Sequence, residues 1–308
     1  MLTGHHNRLK FDDYVSDWFK LDNGIIQGDL LSMILYLFYN TDMLDIVHGC
    51  HELCLGYVDD MVLIASADTF ENAHHMLGNM MSRPGGGLQW TAECNSKFET
   101  SKSVLIDFSR AKGVGRLDMS LQGSLIKPST SHKFLGVQLD QELHWKQQAD
   151  YALGKASKLM LEFHRLAWTG SGVNLRLMQQ LYHAVAIPKM TYAVDVWYTP
   201  LHRKEGTKKD SGSVGITNKL VSLQQMGMLA NTGALHSTAT DVLDLHAGTW
   251  PVRLLFHRLC HRATLRLATL PDTHPLHTIY RMHARRYIKT HWLTLHELPS
   301  IFGSSPTL

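Results

Sequence analysis

The 308-residue sequence has no long apolar run, few cysteines and little excess of charge of one sign. A bilayer-spanning helix needs about 20 apolar residues, and no such run or amino-terminal leader is present, so we predict no membrane partner. The four cysteines have no even spacing, which excludes a disulfide framework and indicates a reducing, intracellular compartment. These features do not separate a nuclear from a cytoplasmic location, and they leave the oligomeric state open.

The charge of the chain is unevenly distributed although its formal total is only +3. Residues 251–308 hold eight Lys or Arg against two acidic residues, a net charge of +6, and the rest of the chain sums to −3. A basic surface of this kind suits a nucleic-acid backbone. With 44% hydrophobic residues, the chain can also bury a sizeable core and would normally form two or three domains.

Two adjacent carboxylates, Asp59 and Asp60, stand between two short apolar runs at 53–56 and 61–65. This pattern predicts a β-hairpin with the polar pair at its turn. Neighbouring carboxylates are costly unless a cation neutralises them, and carboxylate oxygens suit Mg²⁺ together with substrate phosphates. A paired-metal site for phosphoryl or nucleotidyl transfer is one interpretation, and an ordinary acidic turn is the other.

A glycine-punctuated turn at 23–29 runs directly into an apolar stretch with helical spacing. We predict a loop followed by a helix whose first turn is capped by Asp29 or Ser32. The glycines let the backbone approach a flat or charged ligand, and Gln27 offers both a donor and acceptors. A glycine-containing turn of this kind usually does no more than separate two structural elements, but its position shortly before the acidic pair favours a functional role.

Taken in order, these segments resemble reverse transcriptases of non-LTR, LINE-type retrotransposons, most like those of fungi. Residues 24–32 are similar to the motif that positions template and nucleotide, and 57–60 (Tyr-Val-Asp-Asp) to the catalytic hairpin. Residues 101–105 resemble the lysine-bearing segment, 134–137 the primer-grip hairpin, and 192–197 with 216–251 the thumb and post-thumb regions. The resemblance extends from about residue 8 to about residue 295.

The resemblance implies an RNA-directed DNA polymerase that requires an RNA template, a DNA primer, a dNTP and Mg²⁺ (or Mn²⁺). It assigns metal binding and catalysis to Asp59 and Asp60. The further roles that it implies are general acid for Lys102, nucleotide or template binding for Gln27, Gly28 and Tyr57, and primer grip for Phe134, Leu135 and Gly136. For Lys102 the alternative is an ordinary surface lysine.

The sequence departs from the family pattern before Gly24. Leu30 stands where the family usually has proline, and residues 1–23 do not resemble the palm strand that carries the first catalytic aspartate. Residues 9–21 instead predict a short hairpin with Asp12 and Asp13 in a solvated turn. We therefore expect an amino-terminally truncated fragment that is inactive as an isolated chain. The alternative is a noncatalytic remnant that binds nucleic acid through its thumb and basic tail.

The basic tail predicts two clusters that could contact a nucleic acid. Arg253, Arg258, Arg262 and Arg266 are expected along one side of a helix, with Leu254, Leu255, Leu259 and Leu265 on the other. Arg281, Arg285, Arg286 and Lys289 form a second cluster beside Tyr280, Tyr287 and Trp292, and aromatic side chains can stack on bases. The alternative is a solvated amphipathic helix whose aromatic residues belong to a core.

One group of histidines and cysteines invites a zinc interpretation. His48, Cys50, His51 and Cys54 lie within seven residues, whereas structural zinc sites usually draw ligand pairs from separated segments. Cys54 also falls inside a predicted apolar strand, where a buried thiol fits well. We therefore regard zinc as the less favoured interpretation.

The predicted fold class is α+β, with a partial polymerase palm followed by an all-helical thumb and connection. The expected palm, an antiparallel sheet with helices, covers 1–139, the thumb 140–200, a polar linker 201–218 and the basic post-thumb region 219–308. The expected elements are a helix at 68–82 capped by Ser66 or Asp68, a strand at 104–108, a hairpin at 117–126, a strand at 134–139, and helices at 145–166 and 173–187. Pro188 is expected to end or kink the last of these helices.

Overall fold

The computed structural model describes residues 4–21, 24, 28–94, 96–109, 116–167, 172–203, 206, 208–274 and 276–277. The chain divides into two compact units. The first holds Met1–Asp107 and Gly113–Ser129, and the second holds Phe108–Lys112 and Thr130–Leu308. The division after Ser129 falls before the predicted palm boundary at 139, because the next hairpin packs on the first long helix of the second unit.

The described elements alternate short strands and helices in the first unit and are mainly helical in the second. The strands are β1 (His5–Asn7), β2 (Lys10–Phe11), β3 (Tyr14–Val15), β4 (Phe19–Leu21), β5 (Glu52–Tyr57), β6 (Asp60–Ala65), β7 (Met119–Leu121), β8 (Ser124–Ile126), β9 (Ser131–Phe134), β10 (Val137–Asp140), β11 (His202–Arg203) and β12 (Asp210–Ser211). The α-helices are α1 (Leu30–Asn40), α2 (Phe70–Ser82), α3 (Gly87–Glu93), α4 (Lys146–Leu166), α5 (Leu175–Leu181), α6 (Ile187–Met190), α7 (Val194–Trp197), α8 (Val214–Thr232), α9 (Thr240–His246) and α10 (Val252–Ala268). Thr41–Ile46 and Thr100–Lys102 are 3₁₀ helices, and Tyr182–Ala186 is a π-helical turn.

The described strands pair two by two, always antiparallel: β1 with β4, β2 with β3, β5 with β6, β7 with β8, β9 with β10, and β11 with β12. The predicted mixture of helices with antiparallel strands is confirmed. Within the described residues the strands do not join into one larger sheet. The region after residue 139 is not all-helical as predicted, because it includes the β11–β12 hairpin.

Local patterns account for most elements of the first unit. The hairpin predicted at 9–21 is confirmed, with Asp12 and Asp13 as the turn between β2 and β3. Asp29 occupies the N-cap position of α1, but its carboxylate accepts a hydrogen bond from Ser32 Oγ (3.4 Å) and from no backbone N–H of the helix. The predicted cap of α2 was wrong, because Thr69 Oγ1 accepts the bond from the Asn72 backbone N–H at 3.2 Å.

The predicted strand at 104–108 was wrong. Leu105 forms an isolated parallel bridge with Pro128, and its carbonyl oxygen accepts a hydrogen bond from the Ser129 backbone N–H at 2.8 Å, but the pairing does not extend into a ladder. The hairpin predicted at 117–126 is confirmed as β7 and β8. The buried core of the first unit includes a small cluster of Met43, Ile46 and Cys54, which holds β5 against the 3₁₀ helix after α1.

The second unit has the larger hydrophobic core, formed mainly by α4, α8 and the helices around them. Gly227 on α8 allows the close approach of α4, because a Cβ atom there would overlap Met160 Sδ. Of the two effects predicted for Pro188, an end or a kink of the helix, the end was wrong. The π-helical turn precedes the proline and α6 continues to Met190, so the turn accommodates the missing N–H of the proline within a longer helical path.

A buried polar network links three helical segments of the second unit. Tyr182 Oη donates to Gln224 Oε1, and Gln224 Nε2 donates to Asp244 Oδ1, both at 2.8 Å. Burial raises the pKa of Asp244, and the hydrogen bonds from Gln224 and Thr249 oppose this rise. These hydrogen bonds therefore offset part of the free-energy cost of burying the Asp244 carboxylate in the core.

The polar segment predicted as a linker at 201–218 is shorter in the structure. The β11–β12 hairpin lies inside it, and α8 already begins at Val214. Among the described helices, none is both long and apolar enough to span a membrane.

Candidate active site and nucleic-acid interface

The acidic hairpin predicted at 57–60 is present. Tyr57 pairs with Asp60, which leaves Val58 and Asp59 as a two-residue turn between β5 and β6. Val58 has a φ of 57°, in the left-handed region that a β-branched residue rarely adopts. Backbone strain of this kind is typical of functional sites, where the surrounding structure imposes it.

Both carboxylates of the turn are exposed, and neither forms an ion pair with another described residue. Asp60 lies directly opposite Tyr57 in the hairpin, so their side chains lie on the same face. That face also carries Leu53, Leu55 and other exposed apolar side chains, whereas Cys54 on the opposite face is buried. The arrangement presents two unneutralised acids next to an exposed aromatic ring.

Oxygen ligands of this type suit Mg²⁺, but the pair alone is an incomplete site. The described residues contain no group of three or more His, Cys, Asp or Glu side chains that could hold a metal ion. Burial raises the pKa of the Cys54 thiol to about 11, which keeps it protonated and unsuited to metal binding. Its Sγ instead contacts the Met43 carbonyl oxygen at 3.6 Å.

Asn40, which was not singled out from the sequence, contacts the turn directly. Its Nδ2 donates to the Val58 carbonyl oxygen at 3.1 Å. Because Asn40 is the last residue of α1, the helix that follows the glycine-rich turn ends at the acidic hairpin. Composition and spacing give no signal for this contact, since the two residues are 18 positions apart.

A second contact missed from the sequence anchors the start of β5. Arg83 Nη1 donates to Glu52 Oε1 at 3.0 Å, and Arg83 Nη2 donates to Glu52 Oε2 at 2.6 Å and to the Ile46 carbonyl oxygen. The backbone N–H of His48 also donates to Glu52 Oε2, at 2.9 Å. The hydrogen bonds from Arg83 hold the pKa of Glu52 below its usual range. The pair therefore ties the hairpin to the end of α2.

Two further predicted residues of the first unit, Gly28 and Lys102, lie on exposed turns. Gly28 has a φ of 93°, which explains the need for glycine immediately before α1, and Gln27 lies outside the described residues. Lys102 is exposed at the end of the Thr100–Lys102 turn. The roles assigned to these residues stay predictions.

The predicted primer-grip residues form the tip of the β9–β10 hairpin in the second unit. Leu135 and Gly136 make a two-residue turn with φ values of 44° and 84°, as in the turns that suit twisted hairpins. Tyr192 Oη donates to the Leu135 carbonyl oxygen at 2.6 Å. A Cβ atom at Gly136 would lie 3.1 Å from Tyr192 Cε1, so the glycine permits this close packing. Phe134 ends β9 and is half-buried.

The four predicted arginines of α10 are exposed, but the helix faces differ from the prediction. Arg258, Arg262 and Arg266 follow one side at four-residue intervals, whereas Arg253 points elsewhere and donates to Asn218 Oδ1 at 3.1 Å. The predicted apolar face was wrong in part. The residues concerned are Leu255 (buried), Leu259 (half-buried), and Leu254 and Leu265 (56% and 48% exposed). The second cluster, at 280–292, lies outside the described residues.

Comparison with known proteins gives two relatives. Over 158 residues the chain is 28% identical to the Retrovirus-related Pol polyprotein from type-1 retrotransposable element R1 4 of Nasonia vitripennis. The matched segment covers 51% of this chain and 37% of that protein. Over 186 residues the chain is 22% identical to the RNA-directed DNA polymerase from mobile element jockey of Drosophila funebris. This second matched segment covers 58% of this chain and 19% of that protein. Both relatives are non-LTR retrotransposon proteins. The predicted resemblance to this group is thereby confirmed.

The chain spans less than two fifths of the length of either relative. No family model matches the chain, and no solved structure matches it. Reverse transcriptases use divalent metal ions in general.

Proposed function

We propose that this chain supplies the acidic hairpin and the following helical region of a retrotransposon reverse transcriptase, whose reaction is RNA-directed DNA synthesis. The observation that carries the proposal is the strained turn at Val58, with Asp59 and Asp60 exposed and unpaired among the described residues. The two retrotransposon relatives support it independently. The partners would be an RNA template, a DNA primer and a dNTP, with Mg²⁺ or Mn²⁺ as the cofactor.

The remaining assignments belong to the same proposal. Residues 1–139 would act as a partial palm, 140–200 as the thumb, and 219–308 as the post-thumb region. Asp59 and Asp60 would be metal ligands, and Lys102 would protonate the leaving pyrophosphate. The remaining binding roles would fall to Gln27, Gly28 and Tyr57 for template or nucleotide, and to Phe134, Leu135 and Gly136 for the primer end.

We further propose that this chain alone does not extend a primer. Paired-metal catalysis requires ligands that hold both ions while charge develops on the phosphoryl group. The described residues bring together only the two carboxylates of the turn. An additional carboxylate on another strand would therefore have to complete the site before catalysis.

Primer extension tests this directly. The chain is incubated with poly-rA, oligo-dT, dTTP and either Mg²⁺ or Mn²⁺, with Asp59→Asn as the matched control. We expect no extension above the control, and extension by the wild-type chain alone would overturn the proposed inactivity. Mn²⁺ titration followed by electron paramagnetic resonance then tests the lineage. We expect one weak site that is lost in Asp59→Asn/Asp60→Asn, and equal binding by both proteins would contradict the metal role.

The exposed arginine row of α10 favours a second candidate, a noncatalytic remnant that binds nucleic acid. Deleting 251–308 would be a poor test, because Phe256 and Cys260 of α10 are fully buried in the core. Arg258→Gln/Arg262→Gln keeps that core intact. We expect it to weaken salt-dependent binding of an RNA–DNA hybrid, and Arg203→Gln on the β11–β12 hairpin serves as the control. Salt-independent or absent binding would contradict this candidate.

A further inference from the structure

A cluster of two lysines and a tyrosine lies where the β9–β10 hairpin meets α4. Lys155 Nζ is 4.3 Å and Lys133 Nζ is 5.4 Å from the centroid of the Tyr151 ring. Tyr151 and Lys155 are four residues apart on α4 and therefore share a face, whereas Lys133 comes from β9. Two elements of the second unit thus bring two ammonium groups to one phenol ring.

The cluster has positive charge that no described carboxylate neutralises. Both lysines are exposed, and neither forms an ion pair with another residue in the described part of the chain. Asp140, the acidic residue at the end of the same hairpin, is already engaged. Its carboxylate accepts hydrogen bonds from the backbone N–H groups of Glu142, His144 and Trp145, at 2.8 to 3.2 Å.

Two hydrogen bonds set the positions of these groups. Gln148 on α4 is buried, and its Oε1 accepts a hydrogen bond from the Gln138 backbone N–H at 2.8 Å. Gln138 lies directly opposite Lys133 in the hairpin, so this bond holds the strand pair against α4 beside the lysine. At the hairpin tip, the Tyr192 hydroxyl holds the Leu135 carbonyl oxygen. Such preorganisation reduces the ordering cost of binding a ligand.

The electrostatics of the phenol agree with this geometry. The ammonium groups of Lys155 and then Lys133, which lie over the Tyr151 ring, hold the pKa of Tyr151 below its usual range. Two ammonium groups close to one phenol ring repel each other and therefore favour the binding of an anion. A phosphodiester offers two such oxygens on each repeating unit, and a neighbouring aromatic ring suits a nucleic acid.

We propose that Lys133, Tyr151 and Lys155 form a binding site for the phosphodiester backbone of a nucleic acid. The site rests on the proposed function only for the identity of the polymer, an RNA–DNA hybrid. Its phosphate-binding groups are distinct from the α10 arginines and from the acidic turn. Because backbone contacts carry no sequence information, the site would bind hybrids of different sequence with similar affinity.

Fluorescence anisotropy with a labelled RNA–DNA hybrid at several salt concentrations tests the site. We expect Lys133→Gln/Lys155→Gln to weaken binding about tenfold at low salt and to reduce the slope of log affinity against log salt by about 1 to 2. Tyr151→Phe should weaken binding slightly and leave the slope unchanged, because it removes a hydroxyl but no charge. The control Lys158→Gln/Lys189→Gln removes the same charge from α4 and α6 and should change both quantities much less.

The outcomes separate the site from the proposed function. If the wild-type chain binds hybrid and both double variants behave alike, the site is wrong while nucleic-acid binding stands. If the wild-type chain does not bind hybrid at all, the site and the proposed function both fail. If polyglutamate competes as well as the hybrid and depends on the same two lysines, the site accepts acidic peptides and the nucleic-acid assignment is overturned. Far-ultraviolet circular dichroism and urea midpoints confirm that each variant is folded.

Discussion

Replacing Arg83 with methionine should loosen the acidic hairpin at its base. The guanidinium makes two hydrogen bonds to Glu52 and one to the Ile46 carbonyl oxygen, and the two side chains are only 19% and 10% exposed. Removing one partner of a well-buried ion pair costs about 3–5 kcal/mol, and a hydrogen bond to a charged group contributes about 1.5–3 kcal/mol. Since this pair keeps some contact with water, we expect a loss of about 2–3 kcal/mol.

Hydrogen exchange of the β5 amides, followed by mass spectrometry, measures this loss locally. Each tenfold change in exchange rate corresponds to about 1.4 kcal/mol, so β5 should exchange roughly 30- to 150-fold faster in Arg83→Met. The matched control is Arg203→Met. Its partner is Asp210, and because these side chains are 64% and 34% exposed, the change should cost less than about 1 kcal/mol.

A double variant separates the pair from simple loss of packing. Glu52→Met/Arg83→Met removes both charges and should recover much of the lost protection, because no carboxylate is then left buried without its partner. Exchange of β5 at the wild-type rate in Arg83→Met would show that the ion pair does not stabilise the hairpin. Exchange of the double variant that is faster than that of the single variant, by the full cost of a second independent change, would show that the two side chains do not act as a pair.

Three further predictions concern pH and packing. The pKa of Glu52 is lowered in the folded state, so the ionised side chain stabilises the fold above the ordinary pKa of 4.5, and this contribution is lost as pH falls through the lowered pKa. Urea midpoints measured from pH 6 to 3 should show this loss in the wild type and much less of it in Arg83→Met. Because burial raises the pKa of Asp244, the stability of the wild type relative to Asp244→Asn should fall as pH rises from 3.8 through the raised value; a difference between their urea midpoints that stays constant with pH would contradict this. The Cβ atom added in Gly154→Ala on α4 would point into open space, so this change should raise the free energy of unfolding by up to about 1 kcal/mol. The Cβ atom added in Gly227→Ala would overlap Met160, so this change should lower the free energy of unfolding by about 1–3 kcal/mol. Thermal unfolding of both variants checks the opposite signs.

The elements that sequence patterns predicted well are those made by neighbouring residues. The acidic hairpin follows from two apolar runs around a polar pair, and α1 follows from apolar spacing after a glycine turn. The same local logic predicted α4 within one residue of its start, at Lys146. The candidate site residues of the turn, Asp59 and Asp60, were singled out for the same reason, and their roles stay predictions.

The errors fall where distant segments decide the outcome. The segment 104–108 has a strand-like composition, yet only Leu105 finds a bridge, because a strand requires a partner that composition does not reveal. On α10, Leu254 and Leu265 were expected on the side opposite the arginines, but both are exposed, and the helix buries Phe256 and Cys260 against its neighbours. A helical pattern predicts that two faces differ, and packing decides which of them is covered.

Local sequence features specify the candidate site of this chain. The paired acids, the glycine turn before α1 and the basic carboxyl-terminal region are local features, since adjacent residues and short periodicities produce them. The tertiary structure alone decided how those features are held. Asn40 reaches the acidic turn across 18 positions, and Arg83 reaches Glu52 across 31, because side chains that distant meet only after the helices and hairpin have packed.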